Sequence, residues 1–309
     1  MSDAQSDPCI AVLSGIGVLV TRDVRQSSDL TVRLKALGAA VFEFPVIEIA
    51  KPSSFETLDR SLALLNSYDW IVFASTNAVD SFIDRMRTLN IPHDRLADCS
   101  VAAVGAKTAD RLRLRGLEVN FCPQNFSAVD FAGEFCKLHE PSRKKVLWPR
   151  TNAGKLTIKE LLEEQGAKVD AVIAYETVLP DQAVQRRAEL RTLIQSGKIK
   201  VITLTSSQAA KNLRYLLEPP QETAGTAGTA GTAGTAGTAG TAGTAGTAAD
   251  DMPGKKMSLI GISIAAIGAQ TFLTVEQLFT SECFQSEVAT MEGLVAVIAK
   301  HSQHFRGPL

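Results

Sequence analysis

The chain carries one pattern twice, in order and in register, which confines it to folds that two copies of a single supersecondary unit can build. Val18-Leu19-Val20-Thr21-Arg22 is followed, sixteen residues after the arginine, by Gly38-Ala39-Ala40-Val41, and Val146-Leu147-Trp148-Pro149-Arg150 is followed at the same spacing by Gly166-Ala167-Lys168-Val169. A second unit recurs as Phe73-Ala74-Ser75-Thr76-Asn77-Ala78 and Leu204-Thr205-Ser206-Ser207-Gln208-Ala209, and continues as Val104-Gly105-Ala106-Lys107-Thr108 and Ile267-Gly268-Ala269-Gln270-Thr271. From Gly105 to Ser127 is twenty-two residues, as it is from Gly268 to Thr290. The order is A, B, A′, B′. Apolar runs at 18–20, 42–49, 70–74, 100–104, 117–121, 145–148, 168–174, 200–204 and 260–267 read as strands. Helical patterns fall after Arg22 and at 77–88, 107–115, 127–138, 155–165, 182–196, 207–217, 270–279 and 290–301. Short apolar strands alternating with amphipathic helices predict an α/β fold with parallel sheets covered on both faces, internally duplicated.

A length of 309 residues accommodates two domains of ordinary size. The net charge of −1 gives no global basic field, so neither nucleic acid nor an acidic membrane is the expected partner. Five cysteines (Cys9, Cys99, Cys122, Cys136, Cys283) lie scattered with no CxxC pair, which argues against a disulfide framework or structural zinc. The start, MSDAQSDPC, is acidic where a secretory leader is basic, and no apolar stretch reaches spanning length. The expectation is a cytosolic protein, with plastid import left open. Residues 223–246 are eight Thr-Ala-Gly triplets, too poor in large apolar groups to offset the entropy of ordering, and they read as a disordered insertion whose removal leaves activity intact. Ser75 to Gly105 spans thirty residues against sixty-two from Ser206 to Gly268, and the tract supplies twenty-four of the excess.

In parallel α/β sheets, ligands bind beyond the carboxyl ends of the strands, where the first-turn amides of the following helices point outward. Ser75, Thr76, Ser206 and Ser207 end strands and open helices; Thr108 and Thr271 lie three residues past Gly105 and Gly268; Ser127 and Thr290 precede helices. Each hydroxyl suits a helix cap that accepts from an orphan amide. Together they also suit an amide-rich and hydroxyl-rich cleft for a multiply anionic ligand, with no basic cluster required. Arg22 and Arg150 close the first strand of each A unit and fit equally a structural carboxylate or a substrate carboxylate. Gly15 and Gly17 precede the first strand, so they do not form a dinucleotide fingerprint. His93, His139, His301 and His304 have no metal-triad spacing, and no serine or cysteine has an evident His and Asp partner.

The copies disagree at one telling place. Aligning Gly38 with Gly166 sets Glu48 on Glu176 and Ile47 on Tyr175. A tyrosine stays protonated near neutral pH, with an unperturbed pKa of about 10, and donates a hydrogen bond or proton to a departing oxygen. Two readings stand: a core tyrosine with a satisfied hydroxyl, or that donor.

Tyr175-x-Thr177 after a Gly-Ala-x-Val strand, Ser75-x-Asn77-Ala-Val, Val104-Gly105-x-x-Thr108-Ala109, Thr205-Ser206-Ser207, Ile267-Gly268-x-x-Thr271 and Thr290-x-Glu292-Gly293-Leu294 occur here in an order and spacing that resemble the uroporphyrinogen-III synthase family over nearly the whole chain. Thr151 stands where Gly often follows the arginine, Phe272 replaces the usual Ala after Thr271, and the Thr-Ala-Gly tract is foreign to the pattern. The resemblance implies two interleaved α/β domains, residues 12–46 with 178–309 and residues 47–177, joined by a two-strand hinge with Tyr175 in it. It implies cofactor-free, metal-free closure of the linear tetrapyrrole hydroxymethylbilane to uroporphyrinogen III, with loss of water and inversion of ring D. Tyr175 is then the catalytic residue, and Arg22, Ser75, Thr76, Asn77, Gly105, Thr108, Ser127, Arg150, Thr205, Ser206, Ser207, Gly268, Thr271 and Thr290 bind substrate carboxylates. A monomer is implied, with transient contact to hydroxymethylbilane synthase. Two other readings stay open: a two-lobed protein that binds an anionic ligand without transforming it, and a catalytically lapsed synthase domain with a regulatory role.

Overall fold

A computed structural model describes residues 11–125, 127–218 and 255–306, with side chains 24–28 set aside; the Thr-Ala-Gly tract at 223–246 lies outside the described residues. Along the chain run β1 (Gly17–Val20), α1 (Val24–Ala36), β2 (Ala40–Glu43), β3 (Glu48–Ala50), α2 (Glu56–Ala63), β4 (Trp70–Phe73), α3 (Thr76–Thr88), β5 (Ser100–Ala103), α4 (Ala106–Leu114), α5 (Ala128–His139) and β6 (Lys145–Thr151). There follow α6 (Thr157–Glu164), β7 (Lys168–Val178), α7 (Asp181–Gln185), α8 (Arg187–Gln195), β8 (Val201–Leu204), α9 (Ser207–Leu217), β9 (Ser263–Ala266), α10 (Ala269–Leu278), β10 (Cys283–Gln285) and α11 (Met291–Lys300). The chain divides into two compact units, Met1–Glu48 with Leu179–Leu309, and Ile49–Val178.

The first unit is built on a five-stranded sheet in the order β10-β9-β8-β1-β2, with parallel pairing throughout. β1, β8 and β9 are buried along their whole length, as strands covered on both faces must be. One apolar layer gathers Phe44, Ile202, Leu213, Leu216 and Phe279 on the side of α9 and α10; the other gathers Leu30, Leu34, Leu294 and Ile298 from α1 and α11. At the sheet centre Thr21 donates to the Thr203 carbonyl at 2.6 Å and Thr203 donates to the Leu19 carbonyl at 3.2 Å, so buried hydroxyls are matched across β1 and β8. Gly17 is required there, because a Cβ would lie 1.8 Å from the Lys198 carbonyl oxygen.

The second unit repeats the plan with the order β3-β7-β6-β4-β5. β4 pairs in parallel with β5 and β6, and β6 with β7. Phe73, Val79, Phe82 and Met86 fill the layer beneath α3, while Val72, Trp148, Phe131, Phe135 and Leu162 fill the opposite one under α5 and α6. The matched glycines Gly38 and Gly166, at φ 86° and 85°, end α1 and α6 in the left-handed region that a helix stop of this kind uses.

Several element boundaries differ from the sequence reading, each for a physical reason. The strand expected over 42–49 is broken into β2 and β3, with Pro45 between them and no N–H to give a ladder. The run at 117–121 makes a single bridge from Phe121 to Ala102 rather than a strand. The helix expected at 182–196 is two, α7 and α8, meeting at Arg186. α2 was not anticipated, although Leu58, Leu62 and Leu65 recur at helical spacing and are buried.

Candidate functional site

In each unit the parallel strands all deliver their carboxyl ends to one edge, and the polar residues singled out from sequence collect there. In the second unit, Ser75 sits between β4 and α3 and caps the helix, its Oγ accepting from Ala78 N at 3.2 Å. The same Oγ lies 3.0 Å from the hydroxyl of Tyr175 on β7. The Asn77 side chain also hydrogen bonds to that hydroxyl. Burial pushes the Tyr175 pKa up, opposed by the bond to Ser75, the charge of Arg150 and the bond to Asn77. The phenol therefore keeps its proton and lies among groups that favour partial negative charge on its oxygen. Thr76 opens α3 half-buried, beside this cluster in sequence.

Tyr175 reaches Ser75 because of an irregularity in β7. Residues 168–173 alternate between the two faces of the sheet: Val169 and Ala171 pack under α5 and α6, and Val172 packs under α3. The register with β6 then shifts, from Arg150 opposite Ile173 to Thr151 opposite Tyr175. One residue, Ala174, is thereby extra, and both Ala174 and Tyr175 join the layer beneath α3. Strict alternation would have sent Tyr175 to the other face. Around the bulge, Thr151 and Thr177 hydroxyls lie 3.1 Å apart, Thr177 N donates to Asn152 Oδ1 at 2.9 Å, and Asn152 N donates to the Tyr175 carbonyl at 3.3 Å.

Arg150, at the end of β6, donates through Nη2 to the carbonyls of Ala153 at 3.1 Å and Gly154 at 2.7 Å, with its guanidinium 5.1 Å from the centre of the Trp148 ring. Burial lowers its pKa, and Tyr175 opposes the shift. Gly105 caps α4 without a side chain, and Thr108 is buried in the first turn. Ser127 caps α5, accepting from Asp130 N at 3.0 Å. The structure thus brings Tyr175, Ser75, Asn77 and Arg150 together, while Gly105, Thr108 and Ser127 serve the starts of other helices of the same unit.

The first unit has the same caps and a different filling. Ser206 caps α9, accepting from Ala209 N at 3.1 Å, and Thr290 caps α11, accepting from Gly293 N at 3.0 Å. Gly268 caps α10 and Thr271 is buried in its first turn. Ser207 is committed to a helix contact: it donates to the Gln270 carbonyl at 3.2 Å and accepts from Thr274 at 2.8 Å. Thr205 is half-buried at the end of β8. Arg22 places Nη1 3.6 Å from the Met291 sulfur, and burial lowers its pKa against the opposing charge of Asp23. Ile47, the counterpart of Tyr175, is buried with Phe44, Val46 and Leu213. Thr151, Asn152 and Thr274 were not among the site residues read from sequence. Thr151 had stood out only as a departure from the family pattern, and the ties that Asn152 and Thr274 make depend on register and helix packing.

Among the described residues no group of three or more His, Cys, Asp and Glu side chains is placed to hold a metal, and no helix is long and apolar enough to cross a membrane. Fold and site together define an internally duplicated α/β protein whose polar groups gather at the carboxyl edges of parallel sheets. The chain matches the family described as "Uroporphyrinogen-III synthase HemD" over residues 28–296 and belongs to it, a lyase-type family of tetrapyrrole biosynthesis. It is 29% identical over 287 residues to a uroporphyrinogen-III synthase of Synechococcus elongatus, covering 93% of this chain and 95% of that one. Against a uroporphyrinogen-III synthase of Escherichia coli it is 27% identical, covering 65% of this chain and 80% of the relative. In fold it is similar to the crystal structure of a mutant uroporphyrinogen III synthase from the extremely thermophilic bacterium Thermus thermophilus, with TM-score 0.61, 14% identity, and coverage of 95% of this chain and 100% of the other. It is likewise similar to the uroporphyrinogen-III synthetase structure from Helicobacter pylori, with TM-score 0.55, 14% identity, and coverage of 92% and 99%.

Proposed function

We propose that this protein closes hydroxymethylbilane to uroporphyrinogen III, and that the hydroxyl of Tyr175 assists departure of the substrate's terminal hydroxyl. The observation that carries the assignment is the 3.0 Å contact between Tyr175 and Ser75 at the start of α3. Ser75 Oγ already accepts from Ala78 N. Its own proton is then best spent on the tyrosine oxygen, which turns the phenolic proton toward a ligand. The resulting relay, amide to serine to tyrosine to leaving oxygen, begins at a helix N-terminus, and each bond polarises the next. As the C–O bond breaks, the adjoining pyrrole nitrogen supplies the electron pair and the leaving oxygen departs as water. The substituted carbon of ring D attacks the azafulvene so formed, the spiro intermediate fragments and recloses, and the proton lost as ring D regains aromaticity returns to the phenolate.

The raised pKa keeps the phenol protonated at neutral pH, so its hydrogen stays available for the leaving oxygen. The remaining capped helix starts, with Arg22 and Arg150, are proposed to hold substrate carboxylates. The chain passes between its two compact units at residues 48–49 and 178–179. A two-strand hinge of an interleaved pair of domains is proposed for those passages. Incubating the protein with hydroxymethylbilane and separating the isomers by chromatography tests the reading. Uroporphyrinogen III as the dominant product supports it, and isomer I at the spontaneous rate refutes it.

A further inference from the structure

A groove of about 640 Å³ lies in the first unit at the amino edge of the sheet, beside Ile199 and Lys200 before β8 and Ile262 before β9. It is therefore at the opposite end of the strands from Ser206 and Gly268. Ile194, Leu217, Met257 and Leu259 make an apolar lining, and Ile260 at its rim is 93% exposed. Among the described residues its only charged lining groups are Arg191 and Lys200. The Nε and Nη2 atoms of Arg191 are closed to water and have no hydrogen-bond acceptor among the described residues.

That edge of the guanidinium is the one this protein uses elsewhere to grip carboxylates. Arg85 donates through Nε and Nη2 to the two oxygens of Asp59, Arg111 does the same to Asp80, and Arg186 to Glu189. On α8 itself, Arg187 one turn earlier gives its Nε to the Leu216 carbonyl at 2.7 Å. Arg191 presents the same fork with no partner among the described residues, beside an apolar groove whose described lining carries no negative charge. The fork matches a carboxylate bidentately, and a cavity of this size falls within the range that takes a small molecule.

We infer that this groove is a second binding site, for an amphipathic monocarboxylate whose acid group draws the Arg191 fork into the groove and whose apolar body lies along Leu217, Met257 and Leu259. Burying a charged donor without an acceptor is unfavourable, so the movement relieves a cost in the free protein. The site stands independently of the tetrapyrrole reaction, whose proposed residues lie at the other edge.

The test uses the full chain, with decanoate as the probe and decanol and decylamine as controls, read by amide and arginine side-chain NMR shifts. Decanoate is expected to shift Arg191 and the amides of 257–262, while both controls bind at least about tenfold more weakly. Arg191→Met should weaken decanoate at least about tenfold with a melting temperature no lower than that of wild type, since it removes the unpaired fork, and Arg191→Lys should recover only part of the binding, since an ammonium has no fork. Equal binding of decanol, or of decanoate to Arg191→Met, overturns the inference. So does a free-protein Arg191 side-chain signal that moves when Glu222, Asp250 and Asp251 are changed to amides, since the chain would then supply the acceptor itself.

Discussion

Ser75 and Ser206 do the same work in the two units, each capping the helix after a buried parallel strand through the amide three residues on, but they face different neighbours. Ser75 meets the Tyr175 hydroxyl, whereas the strand-end counterpart of that tyrosine in the first unit is Ile47, packed in an apolar layer. Next to Ser206, Ser207 is bound to Gln270 and Thr274 of the neighbouring helix. Duplication has preserved the scaffold and the caps. The tyrosine hydroxyl exists in one copy alone, whereas the arginine near it has its counterpart in Arg22, so the asymmetry at Tyr175 marks where the chemistry is proposed.

Removing the tyrosine hydroxyl should have the largest effect. Tyr175→Phe keeps the ring and its packing, and turnover should fall by about 10²-fold or more, the scale of a lost general acid, with isomer I rising among the products. Adding Ile47→Tyr to that variant should restore nothing, because the first unit offers the new hydroxyl an apolar layer; restored turnover would show the two copies to be interchangeable. Next in size, Ser75→Ala should slow turnover about tenfold by taking the polarising partner from the tyrosine. Ser206→Ala should cost about the same stability, roughly 1 kcal/mol for a lost cap, with turnover within about twofold of wild type, because the first-turn amides of α9 still offer a substrate carboxylate their donors. Thermal melts and isomer-resolved assays on both variants separate the two effects.

A third test reads the tyrosine directly. Its pKa is raised by burial in the folded chain, so the native state holds the proton longer than the unfolded chain, whose phenol titrates near about 10. The stability this contributes is complete below that unfolded value and is lost as pH rises through the higher folded value. Phenolate absorbance of wild type against Tyr175→Phe should therefore show this group ionising above the ordinary tyrosine range. Arg150→Gln should move it higher still, since Arg150 opposes the shift. Ionisation below the ordinary range would sink the assignment of a protonated donor. The smallest effect belongs to the first unit: Thr274→Val removes the tie to Ser207 and the Gln270 carbonyl, costing about 1 kcal/mol without changing turnover.

The frame of both units was legible because it rests on local rules. Val18–Val20 and Val146–Trp148 are short apolar runs, Gly38 and Gly166 stop helices with positive φ, and Ser75, Ser206, Ser127 and Thr290 stand where orphan amides need an acceptor. The pairing of Tyr175 with Ser75 was not legible. It joins residues a hundred positions apart and depends on the register shift opposite Arg150 and Thr151, which no periodicity announces. The tie that occupies Ser207 was hidden for the same reason, since it requires α9 and α10 to lie side by side.

The bulge at Ala174 means that the register of β7, and not only its choice of residues, sets which way the tyrosine faces. Substituting Val172 or Ile173 by another aliphatic residue leaves the parity of the strand alone, and Tyr175 stays on the α3 side. Deleting Ala174 restores a regular ladder and sets the tyrosine directly after Ile173, in Ala174's place, which by alternation is still the α3 side, so the strand tolerates losing this residue without turning the ring. Ironing out the bulge with every residue kept, so that Ala174 rather than Tyr175 stands opposite Thr151, would instead leave a better-formed sheet whose phenol lies with Trp148 and Phe131, away from Ser75.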